Sequence, residues 1–389
     1  MTTNLLQNGT DIENILVPRA NKNAVPVSMR KVGHELWPPD LSLWAWGYNL
    51  YGQLGDGTIT NKSSPMQIGS LTNWADIAGG TYHSLARKLD GTLWAWGYNG
   101  YGQLGDGTIT NKSSPVQIGS LTNWADIAGG TYYSLARKLD GTLWVWGQNS
   151  FGQLGDGTIT HKSSPVQIGS LTNWADIAGG VYHTVARKTD GTLWTWGYNF
   201  HGELGDGTIV NKSSPVQVGS LTNWAEIAGG ANHNVARKTD GTMWVWGYNG
   251  SGQIGDGTIT NRSSPVQIGT LTNWADISGG TYHSLARKSD GTLWVWGRNN
   301  NGQLGDGTTT HRSSPVQVGS LTNWVAISGG AYHSVARKSD GTLWAWGYNP
   351  YGQLGDGTIT YRSSPVQIGS LTNWADIAGG AYHSVALKY

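Results

Sequence analysis

The sequence contains no cysteine. That excludes disulfide staples and thiolate metal centres, and leaves the compartment open. It carries no excess of charge: 25 Lys and Arg stand against 24 Asp and Glu. Charges also cancel within one stretch of the chain, Lys62, Arg87 and Lys88 against Asp56, Asp76 and Asp90. Copies of such a stretch build no basic stripe, so neither nucleic acid nor an anionic membrane is an expected partner. No apolar run approaches the roughly 20 residues of a membrane-spanning helix, so no membrane insertion is expected. The opening residues, MTTNLLQNGTDIENILVPRANKNAV, lack the continuous apolar core of a secretory signal. The expected location is therefore the cytoplasm or a virion-like particle. On the same ground the glycosylation sequons at Asn8, Asn61, Asn111, Asn211 and Asn261 read as coincidences of Asn- and Ser-rich loops. No stretch after residue 40 reads as a helix.

What is present is a repeat. The stretch TLWAWGYNGYGQLGDGT, Thr92 to Thr108, recurs around Trp44/Trp46, Trp94/Trp96, Trp144/Trp146, Trp194/Trp196, Trp244/Trp246, Trp294/Trp296 and Trp344/Trp346, always 50 residues apart. A fixed period of this length means a solenoid, a propeller or an array. With 59 Gly and 22 Trp in 389 residues, the composition suits short strands, tight turns and large apolar side chains between them.

Each unit reads as four strands: Trp74 to Gly79, His83 to Lys88, Thr92 to Gly97, and a short one at Val116 to Ile118 behind Pro115. Asp90-Gly91 is a hairpin signal between the second and third. Tyr98 to Ser114 forms a long loop. Trp94 and Trp96 point one way from the third strand, Leu93 and Ala95 the other. A strand apolar on both sides belongs to a sheet packed between two sheets. Seven sheets arranged radially bury every face, and Ala78, Gly79 and Gly80 are small enough for a crowded axis. The expected fold is all-β, a seven-bladed β-propeller over residues 41–389. Its closing blade combines strands near 43–68 with strands from 374–389. Residues 1–40 are expected to be an anchoring arm or a disordered tail, with at most a turn of helix at Glu13 to Val17.

The unit G-G-x-Y-H-S-x-A-R-K-x-D-G-T-x-W-x-W-G-x-N-x-x-G-Q-L-G-D-G-T resembles the repeat of the regulator of chromosome condensation family, over all but the first 40 residues. The resemblance implies a seven-bladed propeller. It implies less about function, because one fold hosts many activities. Members include a small-GTPase exchange factor, a plant ultraviolet photoreceptor and a bacterial β-lactamase inhibitor. The exchange factor acts through a protruding insertion, and here every loop has the same length. The photoreceptor uses a G-W-R-H-T motif. Its Trp position here holds Thr81, Thr131, Val181, Ala231, Thr281, Ala331 and Ala381, and its Arg position Tyr82, Tyr132, Tyr182, Asn232, Tyr282, Tyr332 and Tyr382. Light sensing is therefore disfavoured. The inhibitor, a bare propeller that binds protein through loops, transfers only as a mode of action.

Candidate chemistry is sparse. His83, His183, His233, His283, His333 and His383, with Tyr133 in the seventh place, are spaced by the ring and read as hydrogen-bonding rather than metal ligands. Asp56 and its equivalents supply one carboxylate per loop, too few for calcium, and read as turn formers. The glycines before Lys112-Ser113 do not match a phosphate loop. Trp74 and its equivalents read as packing rather than sugar platforms. His83 and Ser84, adjacent on a strand, face opposite ways and make no triad. No cofactor, metal or catalytic residue is expected, and no enzyme. Differences between repeats concentrate in the long loop, at Tyr51, Tyr101, Phe151, His201, Asn301 and Tyr351, at Phe200 and Asn300 just before, and at His161, His311 and Tyr361 further on. These are the candidate contacts for a protein or glycan partner, neutral drift being the alternative. The expected function is a non-enzymatic binding or structural propeller. It is docked in a larger assembly, virion or surface structure, with residues 1–40 against a neighbouring subunit. The alternative is a cytoplasmic regulator, such as a small-GTPase exchange factor, or a protein inhibitor.

Overall fold

The computed structural model describes residues 40–389 and, ahead of them, the backbone of short strands at Leu16–Val17 paired with Val27–Ser28 and at Arg30–Val32 paired with Glu35–Trp37. The anchoring arm and its docking role otherwise lie outside the described residues. Of the turn of helix expected at Glu13 to Val17, only Leu16–Val17 lies among the described residues, and it is extended, as β-branched Val17 and Val27 favour.

Seven four-stranded antiparallel sheets follow, and among the described residues there is no helix. The first blade is Trp74–Gly79, His83–Lys88, Leu93–Gly97 and Lys112–Gln117, in sequential order from axis to rim. Five more repeat it. The seventh closes the ring as expected: Trp374–Gly379 and His383–Lys388 pair with Ser42–Gly47 and Lys62–Gln67. The first five blades are numbered here from Trp74 onward, the sixth begins at Trp324, and the closing blade is the seventh.

The outer strand starts earlier than the sequence suggested. It runs Lys112–Gln117 rather than Val116–Ile118, because a bulge between Lys112 and Val116 lets Pro115 sit inside an edge strand without breaking a ladder bond. The Asp90-Gly91 turn is closed by the Asp90 carboxylate, which accepts from the Thr92 amide at 2.9 Å and its hydroxyl at 2.6 Å. Gly91 has φ +78°, and a Cβ there would stand 2.0 Å from the Thr122 carbonyl oxygen. At the axis, a Cβ on Gly79 would meet the Gly380 backbone nitrogen at 2.8 Å, so the inner strands approach as closely as only glycine allows.

The core lies between blades, not within them. Each interface holds one apolar cluster; that between blades one and two contains Leu85, Leu93, Ala95, Leu104, Ile118, Trp124, Ile127, Ala136 and Trp146. Trp96 is fully buried and its indole N–H donates to the Gln53 carbonyl of the preceding blade's loop at 2.9 Å. Burial of ~200 Å² of indole at ~25 cal/mol/Å² stabilises the interface by about 5 kcal/mol. Trp74 is buried too and packs edge-on to Trp94 at 6.0 Å. These tryptophans are the walls of the core rather than exposed platforms. The half-buried Trp94 carries the Lys88 ammonium 3.7 Å from its ring centroid.

Candidate functional site

The histidines form a belt. His83 lies with its Nε2 2.9 Å from Ser134 Oγ of the next blade, and that hydroxyl donates onward to the Gln103 carbonyl. With the serine proton so committed, the imidazole must carry its proton on Nε2 and donate it. The same link joins His233 to Ser284, His283 to Ser334, His333 to Ser384 and His383 to Ser84. His183 donates to Asn234, whose amide donates to the Glu203 carbonyl. Tyr133 completes the circuit by donating to the His183 carbonyl. Burial depresses the imidazoles, to about 3 for His83 and about 4 for His183, so the belt is neutral. Each ring nitrogen Nε2 serves a different blade pair, an arrangement that locks the ring rather than converging on an ion.

The long loop is mostly internal. Asn49, Gln53 and Leu54 are buried. The Asn49 side chain donates to Asp56 at 3.0 Å and to the Thr58 and Thr60 carbonyls, and accepts from the Leu54 amide at 2.9 Å. Asp56 also takes the Thr58 hydroxyl at 2.8 Å and pairs with Lys62 at 3.4 Å. This polar knot is the task of the Gly-Asp-Gly-Thr sequence. Among the candidate contacts, His161 and His311 accept the Asn149 and Asn299 amides through Nδ1 at 3.0 Å, where Asn61 uses its side-chain oxygen. They are loop clasps in which imidazole replaces carboxamide. Tyr361 instead packs on Tyr348 at 4.9 Å. Phe200 and Asn300 are exposed at the loop tip. Tyr51, Tyr101, Phe151, His201, Asn301 and Tyr351 are half-buried, their amides donating to the side chain two residues on.

Those half-buried rings lean on residues the sequence reading weighed only as a missing arginine. Tyr82, Tyr132, Tyr182, Tyr282, Tyr332 and Tyr382 stand around one mouth of the axial channel. Tyr82 stacks with Tyr132 at 6.0 Å and with Tyr382 at 5.9 Å; Tyr332 meets Tyr382 at 5.9 Å and Tyr282 at 6.2 Å. Outside this collar, Tyr51 packs on Tyr82 at 5.3 Å, Tyr101 on Tyr132 at 5.2 Å, Phe151 on Tyr182 at 5.0 Å and Tyr351 on Tyr382 at 5.9 Å. The signal in the sequence was the recurrence of Tyr directly before the belt histidine. It is legible only once the loop aromatics are known to pack against the collar.

Profiles of the regulator of chromosome condensation (RCC1) repeat match residues 42–87, 90–137, 140–187, 190–237, 240–287, 290–337 and 340–387. The chain belongs to this family. A search of curated protein sequences finds no match. Among solved structures, Prp20p from Saccharomyces cerevisiae, described with its binding properties to Gsp1p and histones, superposes with a TM-score of 0.82 at 22% identity, over 90% of this chain and 91% of that one. Human WBSCR16 gives 0.81 at 20% identity, over 90% and 98%. At such identities the likeness is one of fold.

Among the described residues of this RCC1 propeller, the two spaces on the axis are smaller than a substrate needs. The collar end opens on about 100 Å³ lined by Gly79, Gly80, Thr81 and their equivalents, where a small-molecule site needs ~300 Å³ or more. At the opposite end Asp126, Asp176 and Glu226 border a space of about 210 Å³. The acids there are largely compensated: Asp176 pairs with Arg187 at 2.6 Å and Glu226 with Arg237 at 2.9 Å. Asp276, buried beside Glu226, has its carboxyl raised well above the usual range, by burial first and by Glu226 second. Arg337 pairs across the ladder with Ala326, and Asp376 with Leu387. The Asp376 charge acts on Arg337 instead, so two departures from the repeat offset each other across a blade interface.

Proposed function

We propose that this chain is a non-enzymatic, protein-binding RCC1 propeller whose working surface is the tyrosine collar and the loop aromatics behind it. The observation that carries the reading is the continuous run of ring contacts through Tyr282, Tyr332, Tyr382, Tyr82 and Tyr132 on one rigid face. Aromatic side chains with little conformational freedom to lose are the usual anchors of protein interfaces. The test is the double variant Tyr82→Ala/Tyr382→Ala, compared with wild type for retention of the natural partner purified on the wild-type protein. A loss of more than about tenfold in affinity is expected; wild-type retention sinks the proposal.

As to partner, a regulator of a small GTPase has the better support. Prp20p, which shares this fold over 90% of the chain, is described as binding Gsp1p. A nucleotide-release assay against small GTPases from the source organism tests it, and no acceleration with any of them removes it. Docking within a larger particle rests on residues 1–40 and draws no support from the fold or its relatives.

A further inference from the structure

The repeats depart from one another most in one sector, between blades three and four. Glu203 stands where the other units have Gln53, Gln103, Gln153, Gln253, Gln303 and Gln353. Asn232 stands where the rest have the collar tyrosine, and Asn234 where they have Ser or Thr. Phe200, at the tip of the same loop, is 64% exposed. The apolar cluster of this interface is also reduced, with Thr195 in place of Val or Ala and donating to the Leu204 carbonyl at 2.7 Å.

Two consequences meet at one point. First, Asn232 leaves a gap in the collar. His201 holds the same place over Tyr248, at 4.9 Å, that Tyr51 holds over Tyr98, also at 4.9 Å. The loop rings have therefore not moved inward, and the space of one phenol is left beside His201, Tyr198 and Tyr248. Second, a buried carboxyl lies in the same loop, bonded to the His201 amide. Glu203 is fully buried; Oε2 accepts the His201 amide at 2.8 Å, and no hydrogen-bond partner meets Oε1 among the described residues. Its charge reaches the rim, where it helps raise the Tyr198 phenol. His201 supplies no compensating charge, since burial lowers its imidazole and Nδ1 faces the Asn261 amide.

We infer that this gap is a subsite for a single cationic side chain, a lysine or arginine of the protein partner, held between His201, Tyr198 and Tyr248 with Glu203 as its buried counter-charge. An aromatic side chain would fill the gap and leave Glu203 uncompensated; a cation satisfies both features. The collar already accepts a guanidinium elsewhere: Arg298 lies 5.3 Å from Tyr282 and 5.5 Å from Tyr332. Phe200 at the edge offers an apolar contact for the residue next to the cation.

The inference rests on the collar being the binding face, and its test is separable from that reading. Both variants needed, Glu203→Gln and Asn232→Tyr, restore what the other blades carry, so folding is preserved. The probes are acetylated pentapeptides with a central Arg, Lys, Gln or Tyr between glycines, titrated into the full chain at about pH 8, where Glu203 is ionised, and followed by the His201 imidazole resonances. Saturable shifts with Arg and Lys are expected, weakened about five- to tenfold by Glu203→Gln and abolished by Asn232→Tyr. Equal binding of the Tyr or Gln peptide, absence of saturation with Arg, or indifference to either variant overturns the subsite. Loss of the natural partner on Tyr82→Ala/Tyr382→Ala, with none on Asn232→Tyr, would leave the face standing and remove only the cationic pocket.

Discussion

Tyr82 and His83 are neighbours in the chain and belong to two unlike rings. The histidine belt is sealed, neutral and hydrogen-bonded from blade to blade; the tyrosine collar one residue away stands at the channel mouth, its phenol rings meeting other rings and, at Tyr282 and Tyr332, the Arg298 guanidinium. The belt tolerates a change of residue when the bond is remade, as Tyr133 shows by reaching the His183 carbonyl in place of an imidazole donor. The collar tolerates outright loss, as at Asn232. A buried polar ring must satisfy every member, whereas a surface ring can lose one at small cost. Variation at the second therefore carries more information about partners than identity at the first.

The largest way to break the belt is acid. Burial lowers its six imidazoles from 6.5 to about 3 or about 4. Below the unfolded value the unfolded chain takes up protons that the folded chain refuses. Stability is thus full above 6.5 and falls as pH drops. Each histidine contributes about 1.4 kcal/mol per pH unit and the six together about 8. Urea midpoints measured at about pH 7 and about pH 5 should differ steeply, and a flat profile would mean the imidazoles are not buried neutral. Next in size, Trp196→Ala removes an indole that is fully buried and donates to the Gln153 carbonyl. It should cost about 3–5 kcal/mol in denaturant unfolding, with loss of the sharp transition if the ring opens. A cost under about 1 kcal/mol would show that the interface collapses to fill the space.

Glu203 sharpens the contrast from the other side. Burial raises its carboxyl from 4.5 to about 7. The folded state holds the proton more tightly, so stability is unpenalised below 4.5 and declines as pH rises through about 7. Glu203→Gln should therefore stabilise by about 3 kcal/mol at about pH 8 and by nothing at about pH 4, opposite in sign to the histidine effect. Equal stability of the two proteins at both values would place the carboxyl in contact with solvent. The smallest effect belongs to the collar: Tyr82→Ala loses edge and stacking contacts worth about 1 kcal/mol or less to folding, and its signature is in partner affinity.

Much of the fold was legible from period alone. The Asp90-Gly91 turn, the doubly apolar third strand and the phase of residues 43–68 against 374–389 together specify seven blades and the shared one. The outer strand was cut short because Pro115 reads as a beginning, and a bulge is invisible in sequence. The candidate site was only partly legible. Variation marked Phe200 and Tyr51, but it also marked His161 and His311, which close the loop from within because imidazole Nδ1 and carboxamide oxygen accept alike. The collar escaped notice because Tyr82 recurs, and recurrence looks the same for packing as for a surface. Gln53 looked like loop, yet its carbonyl receives both Trp96 and Ser84 from the next blade.

The closing blade lacks the Asp-Gly turn that joins the second and third strands everywhere else. Ser42 nevertheless accepts the Trp44 indole at 2.9 Å, as Thr92 accepts that of Trp94, and donates to the Lys388 carbonyl at 3.0 Å where Thr92 donates to the Asp90 carboxylate. In topological terms the propeller is a circle with a single nick, and the nick lies in a hairpin that is otherwise intact. The strand pairing of that hairpin matches the other six despite the missing turn, so the nick can be moved. A circular permutant sealed between Lys388 and Ser42 and opened at Asp140-Gly141 should thread the same ring, with its free ends two blade interfaces further round.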